Sequence, residues 1–126
     1  MNYVEIDEMM QDIAATIGCG YAFYTNDQAN IVKAPFLLFD YPDRDDFSAD
    51  GNNYVKKENL SIEYDSKNRD LDTETLIESK LTEYGFFYEK TAQYIDGENV
   101  YETLYTMQFV LTEVPENNTE GENNNA

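Results

Sequence analysis

Histidine and tryptophan are absent from this chain, and cysteine occurs once, as Cys19. General acid–base and nucleophilic catalysis draw most often on His, on a paired Cys or on a metal cluster, so these absences turn the reading from an enzyme towards a protein that works by contact. A lone Cys cannot close an intramolecular disulfide, so a reducing compartment is permitted, and Cys19 reads as a small apolar group. Basic residues are scarce: 8 Lys and Arg stand against 26 Asp and Glu, a net charge of −18. A nucleic-acid binder needs a basic footprint, and an anionic membrane surface asks for the same, so both partners are excluded. No run approaches the roughly 20 apolar residues of a membrane span. The start, Met1-Asn2-Tyr3-Val4-Glu5, lacks the basic then apolar pattern of a signal peptide. The 6 Gly are scattered and form no phosphate-binding loop.

Aromatics are plentiful instead, with 11 Tyr and 7 Phe in 126 residues. A chain of this length is one domain with a modest core, and assembly with further copies would add buried surface. Tyr, apolar in its ring and polar at its tip, suits both a sheet core and a surface that is wet before assembly and dry after it.

Hydrophobic spacing predicts the elements. Ile6, Met9, Met10, Ile13 and Ile17 make an apolar stripe on a helix over Val4–Ile17, ended by Gly18 and Gly20. A short strand over Gly20–Thr25 leads to a polar turn at Asn26–Asn30. Phe36-Leu37-Leu38-Phe39-Asp40-Tyr41 then reads as a strand buried on both faces. Tyr41–Asn53 reads as an acidic, mobile loop, and Tyr54–Ser66 as a strand in which Leu60, Ile62 and Tyr64 alternate with polar residues. Asp70 or Asp72 caps a second helix running to about Tyr84, with Leu76, Ile77, Leu81 and Tyr84 as its apolar stripe. Phe86–Ile95 and Asn99–Val114 form a hairpin, the second strand facing Tyr101, Thr103, Tyr105, Met107, Phe109 and Leu111 one way. Pro115–Ala126 is an acidic tail with nothing to bury, expected to be disordered beyond a domain of residues 1–114. The expected fold is α+β, a mainly antiparallel sheet of about four to five strands with two helices packed on one face.

The loop and its flank supply the candidate interaction residues: Asp40, Asp43, Asp45, Asp46, Phe47, Asp50, Lys56 and Lys57. A calcium loop centred on Gly51 would use Asp46, Ser48 and Asp50, but its closing acidic position falls on Lys57, so no metal is expected. No catalytic residue and no cofactor are expected. The Lys56-Lys57 doublet reads either as a solvated strand edge that discourages unwanted pairing or as half of an intersubunit salt bridge.

From Ala34-Pro35-Phe36 onward the chain resembles a family of small proteins from the morphogenesis modules of siphophages and prophages of Gram-positive bacteria. The resemblance runs through Asp46-Phe47-Ser48-Ala49-Asp50 with Tyr54, Ile62-Glu63-Tyr64, Gly85-Phe86-Phe87-Tyr88-Glu89-Lys90-Thr91, Tyr94-Ile95 and Tyr101-Glu102-Thr103-Leu104-Tyr105-Thr106-Met107. Upstream, Gly18-Cys19-Gly20-Tyr21-Ala22-Phe23-Tyr24 is similar to the family's helix-to-strand passage, with Gly20 where Pro is more usual. In all it spans residues 13 to 111, and its specificity lies in the ordered set. Such proteins look like tail terminators, also called tail-to-head joining or tail completion proteins. The resemblance implies a hexameric ring that caps the tail tube protein, stops its polymerisation and docks the head connector. It places the chain in the tail–neck region of the virion, and in the host cytoplasm during assembly. DNA passes such a ring without specific binding, and an acidic lumen repels phosphate within about 8–10 Å. A neck or head-completion protein is the alternative in the same biology; an acidic module that mimics DNA in a basic cleft is the alternative outside it.

Overall fold

The computed structural model describes residues 1–24 and 34–113. The expected turn at Asn26–Asn30, the strand's last residue Thr25 and the tail Pro115–Ala126 lie outside the described residues. Element order is α1 (Tyr3–Ile17), β1 (Gly20–Phe23), β2 (Phe36–Asp40), β3 (Phe47–Ala49), β4 (Asn52–Val55), β5 (Lys57–Ser66), α2 (Leu71–Glu83), β6 (Tyr88–Ile95) and β7 (Val100–Val110). A sheet of 5 strands in the order β1-β2-β5-β7-β6 is antiparallel except for the parallel β1–β2 pair, and β3 and β4 make a second sheet of 2 strands. The fold is α+β, as the patterning predicts.

Local chemistry sets the helix limits. The Asn2 side chain accepts from the Glu5 N–H while the Glu5 carboxylate accepts from the Asn2 N–H, a reciprocal cap that starts α1. Gly18, at φ 74°, ends it in the left-handed conformation that glycine adopts without a Cβ clash. Asp70 rather than Asp72 caps α2, taking the Thr73 N–H and hydroxyl.

Both helices cover one face of the sheet. Ile6, Met9, Met10 and Ile13 of α1 and Ile77 and Leu81 of α2 meet Leu37, Phe39, Leu60, Ile62, Tyr64, Tyr105 and Met107 in one buried cluster. The longest ladder joins β5 to β7, from Lys57 opposite Val110 to Ser66 opposite Tyr101. Residues of β5 alternate between buried and half-buried, and among the described residues no helix covers its second face. The strand expected to be buried on both sides has Phe36, Leu37 and Phe39 buried and Leu38 only half-buried on that free face.

Three expectations are corrected. Tyr41–Asn53 is no loop throughout: it holds β3, the turn at Asp50-Gly51 and the start of β4. The strand expected over Tyr54–Ser66 breaks at Lys56, and β4 belongs to the second sheet. Leu76 leaves the α2 stripe and is 45% exposed, while Glu74 takes a buried place on that helix. The cause is an ion cluster: Arg69 (2.8 Å) and Lys90 (2.8 Å) both reach the Glu74 carboxylate, which also accepts a long bond from Thr103 Oγ1. Burial opposes the charge on Glu74, but the two cations outweigh it and hold its pKa below the usual carboxylate range.

Candidate interaction surface

The sequence from Asp40 to Lys57 builds a projecting β-hairpin, referred to below as the arm. After β2, Asp43–Asp45 runs on beside β5 with Arg44 opposite Glu58 in a one-residue antiparallel backbone pairing: Asn59 N–H donates to the Asp43 carbonyl (3.0 Å) and Asp45 N–H to the Lys57 carbonyl (2.8 Å). Beyond these bonds β3 and β4 pair, among the described residues, only with each other. Phe47 faces Val55, and Tyr54 is the extra residue of a bulge, so Tyr54 and Val55 oppose one ring. Asp50, at φ 53°, and Gly51, at φ 77°, reverse the chain with left-handed backbones.

One carboxylate pins the arm's root. Asp46 accepts from the Arg44 guanidinium (2.8 Å), the Asn53 amide (2.7 Å) and the Lys57 N–H (3.2 Å). That engagement also removes Asp46 from the calcium arrangement considered from sequence. Asp43 and Asp45 share the Asn59 side-chain amide, at 2.7 and 3.0 Å, and Asp45 also accepts from Gln108 (3.1 Å). All three bond within the protomer, but only Asp46 meets a cation; Asp43 and Asp45 meet neutral amides and have no ion-pair partner among the described residues. Asp40 closes β2 opposite Ser61, half-buried. Asp50 is exposed at the turn and Phe47 projects at 58% exposure, and Tyr54, which the candidate set lacked, matches Phe47 at 60%. Lys57 is paired to Val110 within the sheet, so it guards no edge, and Lys56 is exposed between β4 and β5. Among the described residues neither lysine has an ion-pair partner, whereas Arg44, Arg69, Lys80 and Lys90 each do.

The helix-free face of the sheet is the second part of the surface. A groove of about 560 Å³ crosses it, lined by Pro42, Asp43, Asn59, Phe87, Glu89 and Gln108 among others. Phe87 stands at its side with 95% of its surface in water. Farther along, alternation on β5 and the β5–β7 register bring Glu63, Asp65 and Glu102 together, with one oxygen of each within 4.8 Å of the others. Burial, reinforced by the Asp65 and Glu102 carboxylates, pushes Glu63 up to about 9, and burial with the Glu102 and Glu98 charges raises Asp65. One Asp65 oxygen, Oδ1, is buried without a hydrogen-bond partner. The spacing of Glu63 and Asp65 on one strand is visible in the sequence, but the arrival of Glu102 depends on register.

Cys19 is half-buried, and burial raises its thiol pKa, which suits a packed side chain better than a nucleophile. Among the described residues no helix is long and apolar enough to cross a membrane. No family model and no curated protein matches this chain.

Proposed function

We propose that this chain is a non-enzymatic assembly protein of a long-tailed phage or prophage: a tail terminator that forms a ring on the tail tube, ends its growth and offers a docking surface to the head connector. The observation that carries this reading is the presence, together, of an exposed aromatic arm and a sheet face that no helix covers among the described residues. A two-stranded hairpin is marginal on its own in water, so an arm built this way is suited to being completed by a partner. The ordered set of residues similar to the terminator family points to which assembly that is. The net charge of −18 fits the same role, because a ring around passing DNA must not hold it.

The test is electron microscopy of particles produced without this chain. Overlong tails detached from heads are expected; tails of normal length joined to heads would reject the proposal.

A further inference from the structure

Three features of the surface stand open to a partner. Phe47 and Tyr54 are exposed at 58% and 60% on a hairpin whose strands pair, among the described residues, only with each other. Lys56 and Lys57, at the root of that hairpin, lack ion-pair partners among the described residues of a chain with 26 acidic residues. The groove on the helix-free face is walled by Asp43 and Glu89, flanked by the exposed Phe87 ring, and lined by no residue of β3 or β4.

We infer that the arm of one copy seats in this groove of a second copy, setting the Phe47 and Tyr54 rings near its root against Phe87 and bringing the adjoining Lys56 and Lys57 to Asp43 and Glu89. Charge complementarity selects the occupant. In a chain this acidic, any two copies repel at long range, and only a contact that sets the unpaired lysines against carboxylates offsets that repulsion locally. The apolar parts match as well: aromatic rings at the centre of a patch with charges at its rim are the usual composition of a specific interface. Arm and groove occupy different surfaces, so every copy brings one of each and the contact is head-to-tail, the kind that closes into rings. The inference rests on the self-association in the function proposed above and on nothing else in it.

Sedimentation equilibrium of the full chain tests the contact with two variants, F47S/Y54S in the arm and F87S/E89K in the groove. All four side chains are exposed, and circular dichroism checks that each variant folds. The wild type is expected to self-associate, each variant to do so at least about tenfold more weakly, and an equimolar mixture to regain a two-copy complex, since it retains one intact arm and one intact groove. A second pair, K56E/K57E with D43K/E89K, repeats the comparison through charge alone: only the mixture should associate. A wild type that stays monomeric up to about 1 mM overturns the inference. So does undiminished association of either variant, or a mixture that remains monomeric. Failure here leaves the micrographs of tails to decide the terminator reading; normal tails with an intact arm–groove contact would sink that reading alone.

Discussion

The two faces of the main sheet are made from the same strands and have opposite characters. On the helix side, Leu60, Ile62 and Tyr64 of β5 sit under α1 and α2 at 1%, 0% and 3% exposure. On the other side, Ser61, Glu63 and Asp65 of that strand are half-buried, and two of the three are carboxylates crowded against Glu102. One face therefore stabilises the chain and the other spends stability. Surfaces that cost their own protomer something are better explained by what they meet than by what they hold up.

Truncation should expose that contrast most strongly. Ile62→Ala removes a fully buried side chain beneath both helices and is expected to cost about 3 kcal/mol, whereas its neighbour Ser61→Ala should stay within about 0.5 kcal/mol. Denaturant titration of both variants measures the difference; equal losses would erase the distinction between the faces.

Protonation sharpens it next. Folded Glu63 keeps a proton that the unfolded chain gives up near 4.5, so between that value and about 9 the folded state binds more protons and stability falls as pH rises. Glu63→Gln should remove that decline and raise stability at neutral pH by on the order of 1 kcal/mol, the partly solvated site moderating the gain. Glu74 behaves in the opposite sense: its pKa is lowered, so its contribution is complete above the ordinary carboxylate value and is lost as pH falls through the depressed one. Thermal melts across pH should show the neutral-to-alkaline slope flatten in Glu63→Gln and the acid limb unchanged.

The smallest expected effect separates arm from body. Asp46→Ala releases Arg44, Asn53 and the Lys57 N–H at the root, and should cost at most about 1 kcal/mol globally, while amide exchange in β3 and β4 quickens far more than in β5. Uniform quickening across both strands and body would mean that the arm is not a separate unit.

Much of the body was legible because its residues repeat with a clean period. The stripe Ile6–Met9–Met10–Ile13 and the alternation of Leu60, Ile62, Tyr64 and of Tyr105, Met107, Phe109 mark buried faces, and the structure buries all of them. The arm was not legible as a hairpin: β3 and β4 are three and four residues long, nearly all exposed, and no periodicity survives where neither face is covered. Glu74 was missed because a buried carboxylate breaks the apolar stripe, and its cations lie 5 and 16 positions away, Lys90 on a different element. The whole loop was expected to reach outward; within it Asp43, Asp45 and Asp46 find donors in reach, while Phe47, and Tyr54 beyond the candidate set, find no cover.

β5 leaves the arm at Lys56 and continues, without a loop, as the middle strand of the main sheet, held along its whole length by β7. The protein thus has a handle without a hinge. A load applied at the Asp50-Gly51 tip is not absorbed by a slack connector but delivered lengthwise into the longest ladder described. Strands load in shear there, many hydrogen bonds sharing the pull at once, which is the geometry that best resists mechanical extraction.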